Sequence, residues 1–428
     1  MANARITTST ADDAHSDPEV TAWLARMAQP LHTIEVDASL ADLEPLRAIV
    51  GDAVIVGIGG STYGAHEQFT LTTRIIRFLV EELGFRTVAT EEDWDVALDL
   101  DQYVVTGAGN LSKLMSGTNA PWRVREIHAA LEWLRGYNAG RADPVRFVGV
   151  GVIDTRPAVY DLVEVHVGRV APDRLAELRE HFAVIRPVRP DHVRWFFAEV
   201  ADKDAFVEHA RQALRLVENL PSAGPDSALA VQHARQIVAV YEHYVHHVVE
   251  DGYRDTAMAD NLRWWQEYTG HRIAYWSTNA HSARSTGLTV SIPPKGRLEF
   301  TPTGERLRER YGDRYVSLGL TFDHGTVISG WGLPPFARRP LAAPSVPAQF
   351  AERPLCDVDL DQFLVDLRTP VSGHVGRWLD GPARTRVIGS ICDPGQPPEE
   401  YWMAGGSLRQ WFDVLLHSNR PVSPTADL

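Results

Sequence analysis

Short apolar runs and longer amphipathic stretches alternate along the first third of the chain. Asp52–Gly57 reads DAVIVG and ends among Gly57, Gly59 and Gly60, which predicts a buried strand followed by a tight turn. In the stretch from His66 to Gly84, Phe69, Leu71, Ile75, Ile76, Leu79 and Val80 recur at roughly helical spacing, with Gly84 as the C-terminal stop. A second strand is predicted over Arg86–Thr90 and a third over Val145–Val150, with helices over Ala97–Val105 and Val124–Asn138 between them. Strand, helix, strand, helix, strand predicts a mostly parallel α/β sheet flanked by helices.

The pattern then changes. From about Pro172 to Trp265 the chain holds long amphipathic stretches with few strand signals, broken at Pro187–Pro190 and Pro221–Ser227. This predicts a helical insertion domain. Strand-like runs resume at Arg272–Ser277, Tyr315–Leu320, Gly325–Ser329, Phe363–Leu367 and Arg386–Ile391, and the Pro- and Ala-rich Leu333–Pro347 reads as a surface loop. The expected organisation is a disordered tail over 1–18, an α/β core over 19–164, the insertion over 165–265 and a second core part over 266–428.

Composition narrows the classes. The hydrophobic share is 44% and the charged share 23%, as in globular proteins. Lys+Arg is 42 against 56 Asp+Glu, a net charge of −14, which disfavours nucleic acid and anionic membranes as partners. All the basic residues except Lys113, Lys203 and Lys295 are arginine, a bias that marks no site by itself. Two cysteines, Cys356 and Cys392, allow at most one bridge, so a disulfide scaffold is excluded and a reducing cytoplasm is expected. Neither a signal-peptide pattern nor an apolar stretch of about 18 residues is present in the sequence.

In open parallel sheets, ligands bind beyond the carboxyl ends of the strands. The residues following the predicted strands are therefore the candidates. Thr62, Tyr63 and His66 follow the first, Glu91, Glu92 and Asp93 the second, Gly151 and Asp154 the third, and Thr278, Asn279 and His281 the fourth. Tyr63, Glu91 and His281 form an acid/base set expected to converge, with burial raising the Glu91 pKa. The plain alternative is that all of them cap helices and close loops. His243 and His247, four apart beside His246 and Glu250, could share a helix face as metal ligands, but the H-E-x-x-H carboxylate is missing and a packed or solvated face is the stronger reading. The glycines from Gly57 to Gly64 lack the Lys-Ser/Thr of a phosphate loop, so no nucleotide is expected.

Several blocks, in order, resemble the erythromycin esterase-like family, which includes succinoglycan-biosynthesis-like proteins. They are Pro30–Phe69, Phe78–Val104, Pro121–Asn138, Arg254–Trp265, Tyr275–Ser285, Glu305–Phe322 and Trp411–Asn419, and the likeness runs from about Trp23 to His417. The resemblance implies the family's fold and a deep cleft for a bulky lipophilic molecule such as a macrolide. It also marks departures. Where the family reads Gly-Glu-x-Thr/Ser-His-Gly, this chain has Gly59-Gly60-Ser61-Thr62-Tyr63-Gly64. An expected Arg is Thr72, an expected Asp is Gly151, and the first His of His-Asn-x-His is Thr278. Glu67, Glu91, Arg254, Asp255 and His281 remain.

The resemblance therefore implies a catalytic set of Glu91, His281 and Tyr63. Substrate contacts would come from Thr62, His66, Thr72, Trp94, Arg254, Asp255, Thr278 and Asn279, with no metal and no cofactor. Three functions follow as expectations. The first is acid/base chemistry (cyclisation, elimination or isomerisation) on a polyketide-like natural product in a remodelled site. The second is ester or macrolide lactone hydrolysis. The third is non-catalytic sequestration of such a compound.

Overall fold

The structure, a computed structural model, describes residues 17–221, 224–246, 252–293, 295–331 and 337–428. The chain opens with a helix, Pro18–Met27, capped by the Asp17 carboxylate. The strands in chain order are β1 (Gln29–Pro30), β2 (Ile55–Gly60), β3 (Thr87–Asp93), β4 (Arg146–Gly151), β5 (Ile273–Thr278), β6 (Leu288–Ile292) and β7 (Gly296–Phe300). They continue as β8 (Tyr315–Phe322), β9 (Gly325–Trp331), β10 (Ala337–Ala343), β11 (Gln362–Asp366), β12 (Arg384–Arg386), β13 (Trp402–Ala404) and β14 (Val414–Ser418).

The main sheet has the order β1-β11-β14-β8-β2-β5-β3-β4. From β14 to β4 all neighbours are parallel, while β11 and β1 close one edge antiparallel. A smaller sheet, β12-β13-β6-β7, and the hairpin β9-β10 flank it. One face of the main sheet is buried under the helices His66–Glu81, Trp94–Thr106 and Arg125–Asn138 through Phe69, Ile75, Leu79, Leu100, Leu131 and Trp276. The other face packs on the helix Tyr253–Thr269 through Met258, Leu262, Trp265, Tyr275 and Tyr315. The expected α/β architecture is therefore present.

Helices fill the interval from Pro157 to His246 and enclose their own core of Tyr160, Phe182, Phe196 and Tyr241. The breaks fall at Pro187–Pro190 and after Leu220, where proline cannot continue a helix. The helical run begins at Pro157, ahead of the boundary drawn from sequence.

Three local expectations are corrected. The glycines after Val56 lie inside β2, not in a turn: a Cβ at Gly57 would overlap the Tyr315 hydroxyl, and one at Gly59 would overlap Ser282 and Asn279. They are there for close approach of neighbouring side chains. Leu333–Pro347 is not simply a surface loop, because Ala337–Ala343 is β10, paired antiparallel with β9; residues 332–336 lie outside the described residues. Of Arg386–Ile391 only Arg386 belongs to a strand, and the apolar Val387, Ile388 and Ile391 are buried through side-chain packing and isolated bridges.

Candidate active site

Three carboxyl strand ends meet at the middle of the sheet. Tyr63 follows β2, Glu91 lies in β3 and His281 follows β5, with β5 between the other two. A register shift between Thr90 and Asp93 bulges β3 against β4. Such a bulge re-aims side chains at a sheet end. Here Glu91 turns to β5, while Glu92 reaches Asn119 and Asp93 reaches Asn119 and the Ile153 N–H. Gly149 and Gly151 sit against the bulged backbone, where a Cβ would collide with the Glu91, Glu92 and Asp93 carbonyls. That is a steric reason for glycine at 151, where the resemblance expects Asp.

Glu91 is 3% exposed. One of its oxygens accepts from the Ser277 hydroxyl at 2.6 Å and the Thr278 N–H at 3.0 Å; the other accepts from Arg254 at 3.0 Å. His281 Nε2 lies 3.9 Å from the second oxygen. Burial alone would raise the Glu91 pKa, but the His281 and Arg254 charges and the Ser277 hydroxyl outweigh it and bring it down to about 2. The expectation of a raised pKa is thus overturned. Glu91 is a fixed anion, far too weak a base to take a proton at neutral pH.

His281 is the imidazole of this centre. Its Nδ1 faces Asp255 at 2.9 Å, and Asp255 is steadied by the Thr303 N–H at 2.8 Å and the Thr303 hydroxyl at 2.9 Å. Nε2 lies 3.3 Å from Arg254 Nη1, and because guanidinium can only donate, Nε2 accepts in the neutral tautomer. Burial lowers the imidazole pKa, but the Asp255 and Glu91 charges more than offset this, so it lies above its ordinary value. The Tyr63 hydroxyl is buried without a hydrogen-bond partner of good geometry among the described residues, and its ring packs on Trp122 at 5.4 Å. Burial and the nearby Glu91 charge push its pKa well above the ordinary phenol value, so it remains a proton-bearing donor.

Of the eight expected substrate contacts, three lie in this centre: Arg254 and Asp255 as above, and Thr278, which donates to Glu91 and caps the short helix carrying His281. Thr62 borders it but is occupied, its hydroxyl accepting from the Gly64 N–H. The other four are placed elsewhere. Asn279 is fully buried and tied to the Leu320 backbone in β8. Thr72 is buried in the helix His66–Glu81. Trp94 packs into an aromatic group with His233, Trp264 and Trp265. His66 turns away to pair with Glu126 at 2.7 Å. Sequence position alone cannot tell which side of the backbone a strand-end residue serves. Ser277 and Thr303 were missed: Ser277 lies in the strand preceding Thr278, but nothing in the sequence ties Thr303 to Asp255.

No group of three or more His, Cys, Asp or Glu residues able to hold a metal occurs among the described residues. His247 and Glu250 of the histidine-rich stretch, and the His246 side chain, lie outside them. Cys356 and Cys392 are free. No described helix is long and apolar enough to cross a membrane.

Fold and site together define a class: an α/β protein with a buried, charged centre at the carboxyl edge of a parallel sheet. The model of the erythromycin esterase family matches residues 80–420, and the chain belongs to that family. It is 22% identical to an erythromycin esterase type II of Escherichia coli over 330 residues, covering 70% of this chain and 76% of that protein. A putative hydrolase of Bacillus subtilis (strain 168), YbfO, is also 22% identical, over 340 residues, 70% of this chain and 71% of its own. Among solved structures, a Bacillus cereus protein superposes with a TM-score of 0.85 at 28% identity, covering 96% of this chain and 99% of its own. A succinoglycan biosynthesis protein gives 0.80 at 25% identity, covering 96% and 98%. A mutant of the erythromycin esterase EreC in its open conformation gives 0.70 at 15% identity, covering 92% and 98%, a likeness of fold.

Proposed function

We propose that this protein is an erythromycin esterase-family enzyme with a remodelled site. It would carry out non-hydrolytic acid/base chemistry (cyclisation, elimination or isomerisation) on a bulky, lipophilic, polyketide-like molecule of secondary metabolism. The observation that carries this reading is the Tyr63 hydroxyl, buried, protonated and without a good hydrogen-bond partner beside a carboxylate that is itself held ionised. A phenol in that state cannot activate water, but it can donate to an oxygen that gathers charge.

In this reading neutral His281 accepts a proton from the substrate at Nε2, and Asp255 steadies the imidazolium through Nδ1. Tyr63 and Arg254 donate hydrogen bonds to the substrate oxygen on which negative charge builds. Glu91 stays anionic, holds Arg254 in place and favours the imidazolium electrostatically. The proton on His281 then returns to a different substrate atom or to the departing group.

Hydrolysis of an ester or lactone is the second reading, favoured by the names of the relatives; His281 would then activate water. Erythromycin ring opening separates the two, with an authentic esterase as control. Wild type and Tyr63→His are both expected to show little or no opening. One restored group returns little when Gly60, Thr72, Gly151 and Thr278 still stand in place of its partners. Wild-type turnover comparable to the control would overturn the first reading in favour of the hydrolase.

A further inference from the structure

The last residues of the chain cross the loop that presents Tyr63. Val422 pairs with the head of β9, its N–H donating to the His324 carbonyl at 2.9 Å and its carbonyl accepting from Thr326 at 2.8 Å. The Ser423 carbonyl accepts from the His66 N–H at 2.8 Å, and the Thr425 N–H donates to the Gly64 carbonyl at 3.1 Å. The Glu67 carboxylate accepts from both the Ser423 N–H and the Ser423 hydroxyl, each at 2.7 Å. Further along, the Ala426 carbonyl accepts from the Arg125 N–H at 2.7 Å, and the Leu428 N–H reaches the Arg123 carbonyl at 3.4 Å. Arg123 directly follows Trp122, the ring on which Tyr63 rests.

Tyr63 is thus held from both sides of its loop by residues that local sequence does not supply. The helix that follows has no side-chain N-cap of its own, so the entry angle of the chain is not set locally. From the far side, the Ile328 N–H donates to the Gly64 carbonyl at 2.9 Å, and a Cβ at Gly64 would overlap Ile328. We infer that Val422–Leu428 is a strap that positions the Tyr63 hydroxyl beside Glu91, with Ser423 and Glu67 as positioning residues. Its meaning for catalysis rests on the reading of Tyr63 given above, but the placement of the side chain is measurable without any substrate.

Nitration by tetranitromethane, read by peptide mass spectrometry, provides that measurement. The reagent attacks phenolate, so a buried phenol with a raised pKa is protected. Tyr63 is the reporter, and the fully buried Tyr160 and Tyr315 are internal references for global unfolding. In a chain ending at Pro421, and in Glu67→Ala, Tyr63 nitration should rise about tenfold or more while Tyr160 and Tyr315 stay protected, as for local release of one segment. Unchanged Tyr63 nitration in Glu67→Ala, or a rise at all three tyrosines together, would overturn the inference. Should the shortened chain not fold, Glu67→Ala decides by the same criterion. Erythromycin ring opening is independent of this readout, so the strap and the functional reading fail separately.

Discussion

A carboxylate withdrawn from water is driven towards protonation, and Glu91 is almost wholly buried, yet it is held ionised by the Arg254 guanidinium, the Ser277 hydroxyl and, when protonated, His281. The same balance has the opposite consequence at His281, where burial disfavours the charged form and the Asp255 and Glu91 charges restore it. Asp255→Asn removes the larger of those two charges. The His281 pKa should then fall. In the sign convention of linkage, a raised histidine pKa gives stability that is fully present below the ordinary value and lost as pH rises through the folded value. That contribution should disappear in the variant. If His281 is the base, the acid limb of activity should also move to lower pH. Titration of the His281 Cε1–H resonance in both proteins checks this, and an unchanged or higher pKa in the variant would refute it.

At the scale of elements, the bulge in β3 separates two sets of acidic side chains. Glu91 joins the centre with Arg254, while Glu92, Asp93, Asp95 and Asp154 gather on the other side. The bulge is accommodated only because β4 presents Gly149 and Gly151 to it. Gly151→Asp, which would restore the residue expected from the family, places a Cβ 2.5 Å from the Glu91 carbonyl and 3.0 Å from that of Glu92. Backbone cannot yield as a flexible side chain does. The substitution should cost about 1–3 kcal/mol or more, the range for overpacking. Urea unfolding of the variant measures this directly, and wild-type stability would show that the bulge adapts.

For the molecule as a whole, the buried acids set the direction of its pH response. Burial and the Asp93 charge raise the Glu92 pKa, and burial and the Asp154 charge raise that of Asp93. Burial and Asp93 raise that of Asp95 to about 7, and burial raises that of Glu352 to about 7. A carboxyl group with a raised folded pKa binds protons more tightly when folded, so stability falls as pH climbs from the unfolded value through the folded one. His233, lowered to about 4, and His417, lowered to about 3, act oppositely, but only up to the ordinary histidine value. Between about pH 6.5 and 8 the raised carboxyls and His281 act together, and the thermal midpoint should decline. Glu92→Gln should flatten that decline. A midpoint that climbs across this window would contradict the assignment.

Periodicity, punctuation and residue type were enough to determine the alternation of strands and helices around β2, β3 and β4, the helical interval broken at Pro187–Pro190, and the strand ends from which Tyr63, Glu91 and His281 arise. These are local properties of the chain. Tertiary packing alone decided the rest. β6, β13 and β14 were not read as strands because their short runs gain strand character from partners distant in sequence. The glycines of β2 look like a turn until Tyr315 and Ser282 are seen filling the space beside them. Trp94 and Asn279 follow strands as Tyr63 and His281 do, but they face the core and β8. The ionisation of Glu91 could not be inferred from its position, because the sign of its pKa shift depends on Arg254 and His281, brought within hydrogen-bond or ion-pair distance only by the fold. A residue's chemical type belongs to the sequence; which charges and carbonyls surround it is a long-range property of the folded chain.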